Sequence, residues 1–107
     1  MDGFQKKYLK GLAHGMKPTV FIGQKGLQAS VFDAIDAALG AHELIKIKFL
    51  DFKEKAVKGQ LTGTVAEKTG AVLVGDIGHT AIFYRQQKDL KKRKIQLPER
   101  PNIGRHS

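Results

Sequence analysis

Gly23 and Gly26 stand three residues apart with Lys25 between them, at the junction of an apolar run and a helix-like pattern. Two glycines at one turn remove the Cβ atoms that would hold a chain of phosphate groups away from the backbone. A helix N-terminus presents free N–H groups and a partial positive charge, and the Lys25 ammonium can add a direct contact. The stretch "GQKG" therefore predicts an anion-binding loop, with a plain strand-to-helix turn as the alternative interpretation.

Two other phosphate-binding loops do not fit this stretch. In "VFIGQKGLQASVFDAI", residues 20–35, no Lys-Ser or Lys-Thr pair follows the second glycine, so the pattern is not a P-loop. The third glycine of a dinucleotide-binding fingerprint is also missing. The pattern instead resembles the GxxG loop of KH-type RNA-binding modules, which grips the backbone of the nucleic acid rather than reading its bases.

The sequence offers no convincing catalytic or metal-binding set. It contains no cysteine, which excludes disulfides, thiolate metal sites and cysteine nucleophiles, and its four histidines are scattered. His42 and Glu43 could be drawn as an acid–base pair of a metal-dependent phosphodiesterase, but neighbours at the start of a strand point to opposite faces. We therefore predict a protein that is not an enzyme and uses no metal, cofactor or small-molecule substrate.

The positive charge is concentrated at the two ends of the chain. The sequence has 19 basic and 10 acidic residues, a formal net charge of +9. Residues 1–17 carry a net +3, residues 18–85 a net +1 and residues 86–107 a net +5. Basic ends on a nearly neutral core favour binding to a polyanion. Nucleic acid is the first candidate and an anionic membrane surface the second. The alternative explanation for the basic ends is solubility.

Further phosphate contacts are predicted from basic residues outside the loop. Lys46 and Lys48 share one face of a predicted strand, and Arg85 follows the last strand. The cluster "KDLKKRK", residues 88–94, is expected to raise the affinity for any RNA by releasing counterions. Tyr84 is either a base-stacking residue or a packing residue at the edge of the sheet. The predicted contacts outside the loop are Lys17, Lys46, Lys48, Arg85, Lys91, Lys92, Arg93 and Lys94.

The elements that must position these residues follow from hydrophobic periodicity. Apolar residues at helical spacing predict helices, and β-branched or alternating runs predict strands. The predicted helices cover residues 3–14, 27–39 and 53–69. The predicted strands cover residues 19–22, 43–52 ("ELIKIKFLDF"), 71–76 and 79–84. The first of these strands is expected to be buried, and the last two to form a hairpin around "DIGH".

The order αβαβαββ predicts one compact α/β (α+β) domain with a four-stranded mixed sheet. Crossover helices favour parallel pairing in part of the sheet, and the hairpin is antiparallel. The second and third helices are expected to pack on the sheet, with the first helix near its edge. We assign residues 1–97 to the domain and residues 98–107 to a basic tail. After Arg85, only "KIQLP" is expected to add a short extended segment, and the rest to be disordered without a partner.

The location of the protein is predicted from what the sequence lacks. No apolar run approaches the ~20 residues that span a bilayer. The segment "MDGFQKKYLK" lacks the uninterrupted apolar core of a signal peptide. We expect a cytoplasmic monomer with no membrane partner.

Three longer blocks resemble one known family. The blocks "LKGLAHGMKPTVFIGQKGL" (9–27), "AHELIKIKF" (41–49) and "GHTAIFYRQ" (78–86) are similar, in order and spacing, to the chloroplast RNA splicing and ribosome maturation (CRM) domain in its bacterial single-domain, YhbY-like form. The resemblance covers roughly residues 5–97. It implies a fold similar to the C-terminal domain of bacterial translation initiation factor three.

The resemblance also implies a KH-like RNA-binding loop, formed by Gly23, Gln24, Lys25 and Gly26. The family often places a basic residue directly after the first glycine, where this chain has Gln24, so Lys25 is the better phosphate candidate. By resemblance, the chain is expected to bind ribosomal RNA or precursor large ribosomal subunits as an assembly factor. Plant relatives assist intron splicing. The alternative function is a protein-interaction module on a ribosomal or nucleoid partner, with basic ends for solubility.

Overall fold

A computed structural model describes residues 1–23, 25–50 and 55–99 of the chain. Three helices and four strands alternate in the predicted order and are followed by one turn of 3-10 helix, Leu90–Lys92. The helices are α1 (Gly3–His14), α2 (Ala29–His42) and α3 (Lys55–Thr69). The strands are β1 (Val20–Ile22), β2 (Leu44–Phe49), β3 (Val72–Ile77) and β4 (Thr80–Tyr84). No helix in these described ranges is long and apolar enough to cross a membrane.

The helix boundaries reflect local capping in one case and tertiary bonds in another. α1 occupies the predicted range, and Asp2 caps it by accepting the backbone N–H of Gln5 at 2.9 Å. α2 begins two residues later than predicted and continues through Gly40 to His42. Glu43 ends α2 in the left-handed region, at φ 64°. A non-glycine residue there is unusual, and contacts with distant segments hold it.

The sheet is mixed, as predicted, and its strand order is β1-β2-β4-β3. β1 and β2 are parallel, and the β3–β4 hairpin is antiparallel. Helix α2 supplies the crossover between the parallel pair, which is the connection that such pairing requires. β4 inserts between β2 and β3, so the last strand of the chain lies in the centre of the sheet.

One face of the sheet packs against α2 and α3, as expected. Its strand residues alternate with those of the opposite face, so Ile45, Ile47 and Phe49 of β2 all point into this core. The core continues through Ile35 and Leu39 of α2. This layer provides most of the apolar burial of the domain.

Helix α1 covers the opposite face of the sheet. We expected this helix near the edge of the sheet instead. Leu9 and Ala13, one turn apart on α1, are buried against Leu44, Val74 and other residues of this face. The alternation of β2 places Leu44 on this second face, and an apolar surface on both sides of a sheet requires a cover on both sides.

Residues 87–97 are held against the domain, whereas only "KIQLP" was expected to form a segment there. The backbone N–H groups of Gln87, Lys94 and Ile95 bond to the carboxylate of Glu43, and Ile95 packs beside α1 together with Leu97. Of the predicted tail at 98–107, the structure describes Pro98 and Glu99, and the other residues lie outside the described ranges.

Candidate nucleic-acid interface

Gly23 and Gly26 close a turn directly after β1. The backbone N–H of Gly26 donates to the carbonyl of Gly23 at 3.0 Å. Gly26 has a φ of +71°, a left-handed conformation that favours glycine over every other residue. Lys25 is exposed, and Gln24 lies outside the described residues. The turn therefore presents a lysine at its tip and glycine backbone on each side.

Both glycines border open space. A Cβ atom placed on Gly23 or on Gly26 would meet no heavy atom within 4 Å. The backbone conformation explains a glycine at position 26, but no internal contact and no positive φ require one at position 23. An approaching molecule could reach the backbone there without displacing any packed side chain.

The helix that follows the turn starts at Ala29, two residues after the predicted start at Leu27. Its N-cap residue, Gln28, makes no side-chain capping bond. Gln28 instead accepts the N–H groups of Val31 and Phe32 through its backbone carbonyl. Two residues therefore separate Gly26 from the start of the helix. The sequence predicted that the helix follows Gly26 directly.

Three connections meet at the same end of the sheet, which we call the loop end. The backbone N–H of Leu50 donates to the carbonyl of Ile22 at 2.7 Å, beside the start of the turn. The N–H of Phe49 donates to the carbonyl of His79 in the β3–β4 hairpin at 2.7 Å. The Lys58 ammonium of α3 donates to the carbonyl of Gly78 in the same hairpin. Three lysines therefore lie at the loop end: Lys25 in the turn, Lys48 on β2 and Lys58 on α3.

The predicted basic cluster lies at the opposite end of the sheet. Residues 91–94 are exposed, and their segment is anchored at Glu43, which precedes β2. The loop end lies after the last residue of β2, so the length of that six-residue strand, about 17 Å, separates the two groups. The structure thus divides the predicted phosphate contacts into a loop group and a distal group instead of one patch.

Arg85 is engaged within the domain. Its guanidinium forms an ion pair with Asp36 on α2, and it also donates to the backbone carbonyl of Asp36 at 3.1 Å. A further bond of 3.0 Å reaches the carbonyl of Thr69 at the end of α3. These bonds tie the end of β4 to both helices. A phosphate contact by Arg85 stays a prediction, and it would have to share this guanidinium.

The remaining basic candidates differ in exposure. Lys46 is half-buried, and its ammonium donates to the carbonyl of Met16 at 2.9 Å. This bond ties β2 to the chain that follows α1. Lys17 and Lys48 are exposed. Tyr84 packs in the core under α1, so its ring is not available to a base and the packing interpretation is confirmed.

Glu43 is a structural anchor, a role that sequence analysis missed. Its side chain is 1% exposed, and its carboxylate accepts three backbone N–H groups at 2.6 to 2.9 Å. Burial raises the pKa of this carboxyl, but the three donors and the nearby Arg93 guanidinium lower it by more, so the pKa lies below its ordinary value. His42 beside it is exposed, so the two residues do not converge on one substrate.

Phe21 is a second residue that sequence analysis misjudged. The strand at 19–22 was expected to be buried, but β1 alternates, with Val20 and Ile22 in the core and Phe21 53% exposed. A three-residue strand is too short to reveal this alternation in the sequence, since all three residues are apolar. Only the pairing partner on β2, Lys48, shows that this face is open to solvent.

Comparison with known proteins identifies the family of the chain. The family model of the CRS1 / YhbY (CRM) domain matches residues 1–85, which include the turn and all four strands. The chain belongs to the CRM domain family. The resemblance of the three sequence blocks is thereby confirmed.

Two curated relatives align over nearly their whole length. An RNA-binding protein of Haemophilus influenzae is 38% identical over 96 residues, which are 90% of this chain and 93% of that protein. A protein of Bacillus subtilis named a probable RNA-binding protein is 32% identical over 98 residues, covering 92% and 99% of the two chains.

A solved structure supports the fold of this CRM domain. The solution structure of a Staphylococcus aureus protein, described as a candidate RNA-binding protein, superposes with a TM-score of 0.76 at 36% identity. The match covers 92% of this chain and 99% of that one. The relatives are named for RNA binding rather than for catalysis. Within residues 1–23, 25–50 and 55–99, no three His, Asp or Glu side chains form a group that could hold a metal ion.

Proposed function

We propose that this CRM domain is a non-catalytic RNA-binding protein that holds an RNA backbone at the turn Gly23–Gly26. The observation that carries the proposal is the open space around both glycines, with an exposed lysine between them. Phosphates are bound where backbone N–H groups and cations are accessible without a covering side chain. The names of the relatives support the same class of ligand.

The target that we propose is ribosomal RNA in precursor large ribosomal subunits, where the protein would act as an assembly factor in the cytoplasm. This finer proposal rests on the resemblance to the single-domain bacterial CRM proteins. The separation of about 17 Å between the loop group and the distal group favours an extended or structured RNA over a short ligand. The distal lysines would add affinity for any RNA through counterion release.

The test is a titration of the purified protein onto large-subunit ribosomal RNA fragments at several salt concentrations. Gly23→Asp is the sharpest loop variant, because its side chain enters open space from an unstrained backbone and brings a negative charge to the turn. The expected result is a loss of affinity of tenfold or more with unchanged unfolding in urea.

A matched control is Gly63→Asp on the exposed side of α3. It makes the same change of charge at a glycine that also borders open space, outside the turn. The control should bind RNA like the wild-type protein, apart from a small electrostatic effect. Equal weakening by the two variants would show that the overall charge, and not the turn, determines binding.

A protein-interaction module is the second candidate, and one observation favours it. Phe4, Tyr8 and Leu12 recur every four residues on α1, and each remains 40 to 42% exposed. Such an apolar stripe fits the surface of a protein partner. If the purified chain fails to bind naked ribosomal RNA at low salt, this candidate replaces the first.

A further inference from the structure

One row of paired residues crosses all four strands at the loop end. Phe21 on β1 pairs with Lys48 on β2. Lys48 pairs with Thr80 on β4, which pairs in turn with Ile77 on β3. Directly paired residues lie on the same face of a sheet, so the four side chains form one row about 14 Å across. We call these four residues the sheet-face row.

The sheet-face row exposes two large apolar side chains. Phe21 is 53% exposed and Ile77 is 73% exposed. Helix α1 covers the same face farther from the loop end, where Leu44 and Ile82 are buried. The described residues thus leave the row open to solvent. Phe21 and Ile77 stand at the two ends of the row, with Lys48 and Thr80 between them. Phenylalanine is normally buried, so an exposed ring directly beside an exposed lysine is the feature of the row that indicates a ligand.

The charge around the row favours an anionic ligand. Lys48 belongs to the row, and Lys46 occupies the next position on the same face of β2. The Lys10 side chain of α1 lies across β3, with its Cε 2.6 Å from the position that a Cβ on Gly75 would take. Asp76 is the only acidic residue in the four strands, and it alternates with Ile77 toward the other face.

We propose that the sheet-face row is a base-stacking surface for single-stranded RNA. The Phe21 ring is the platform, Lys48 beside it neutralises the adjoining phosphate, and Ile77 offers a second apolar contact at the far end of the row. The inference rests on the proposed function, because β1 ends at Ile22 and the next residue, Gly23, opens the turn that holds the RNA backbone. An RNA strand at the turn can therefore lay its next unpaired bases on Phe21. Such stacking tolerates any base sequence, since every base has a π-face.

A tryptophan at position 21 reports on stacking directly. The chain contains no tryptophan, so Phe21→Trp carries a single indole whose fluorescence is quenched when a base stacks on it. The probe is the ribosomal RNA fragment that the wild-type protein binds in the titration above. We expect quenching that saturates at the same RNA concentration as binding. The matched control is Phe4→Trp on α1, a 40% exposed position outside the row, and it should not be quenched.

Truncation of the ring supplies the second readout. Phe21→Ala should lower the affinity about tenfold, the order expected for losing one stacked base, with an unchanged dependence of affinity on salt. Phe21→Tyr should retain wild-type affinity, and Phe4→Ala should bind normally. Because the ring at position 21 is largely exposed, these variants are expected to unfold at the same urea concentration as the wild-type protein.

The outcomes separate this inference from the proposed function. If the wild-type protein binds RNA and Gly23→Asp abolishes binding, but the indole at position 21 is not quenched and Phe21→Ala binds normally, the stacking surface is wrong and the loop proposal stands. If Phe21→Ala weakens binding and at the same time lowers the dependence of the affinity on salt, the lost contact is electrostatic and the row contributes no stacking. If no RNA binds the wild-type protein, both proposals fail, and a protein partner becomes the occupant of the row.

Discussion

Replacing Glu43 by glutamine is predicted to release the C-terminal segment from the domain. The buried carboxylate accepts the N–H of Lys94 at 2.6 Å and of Ile95 at 2.9 Å through one oxygen, and the N–H of Gln87 at 2.8 Å through the other. A glutamine amide has the same shape but only one acceptor oxygen. Its NH₂ group must therefore face at least one of these donors.

The magnitude follows from the number of bonds. If the amide oxygen keeps Lys94 and Ile95, the N–H of Gln87 is left unpaired in a part-buried site, which costs about 1–3 kcal/mol. The two remaining bonds lose their charge and weaken by roughly 0.5–1 kcal/mol each. We expect the segment to lose about 3 kcal/mol of stability, which raises the population of its detached state about 150-fold.

The same reasoning predicts a pH dependence. The folded-state pKa of Glu43 lies below the value of about 4.3 that is ordinary for a glutamate in an unfolded chain. The stability that the ionised carboxylate contributes is therefore complete above about pH 4.3 and is lost as the pH falls through the folded-state pKa. The difference between wild-type protein and Glu43→Gln should be constant near neutral pH and should shrink in acid.

Two assays measure this prediction. Trypsin cleaves unfolded backbone fastest, so we expect the cleavage rate at the lysines and arginine of residues 88–94 under native conditions to rise with the detached population. Urea unfolding at a series of pH values reports the stability of the whole domain. Equal trypsin resistance of the two proteins at neutral pH, or a stability difference that persists unchanged in acid, would refute the role of Glu43 as an ionised anchor.

Two further predictions concern the loop and the distal basic group. Gly26→Ala should destabilise the domain by about 1–2 kcal/mol in urea because of its positive φ. Gly23→Ala should change stability by less than about 0.5 kcal/mol, and equal effects at the two positions would contradict the turn geometry. Substituting residues 91–94 by glutamine should weaken binding to any RNA and reduce the slope of log affinity against log salt by up to about 3. An unchanged slope would mean that this segment does not contact phosphates.

The elements of the fold were predictable because their signals are local. Helical spacing predicted the range of α1 correctly, and alternation in "ELIKIKFLDF" predicted β2 with its two faces. The crossover between β1 and β2 and the hairpin between β3 and β4 followed from element order alone. Composition and the GxxG spacing were likewise enough to place a phosphate-binding candidate at the turn.

The arrangement of the candidate site was not predictable, because it depends on contacts between distant segments. Nothing in "KIQLP" itself shows that its apolar residues cover the sheet beside α1. Nor does the local sequence show that Glu43 binds the backbone of Gln87 and Ile95, which lie 44 and 52 positions later in the chain. Arg85 is predicted from its position to contact a phosphate, and only the packing of α2 and α3 places Asp36 and Thr69 within its reach.

The sequence by itself determined the class of the protein: its element order, its basic ends and a glycine turn suited to phosphates, each read from neighbours along the chain. The tertiary structure decided which of those residues act together. It separated residues 91–94 from the turn by the length of β2, and it aligned Phe21 with Lys48 and Ile77 in one exposed row. The physical reason is that strand register and sheet order, which no local pattern encodes, set which side chains share a face.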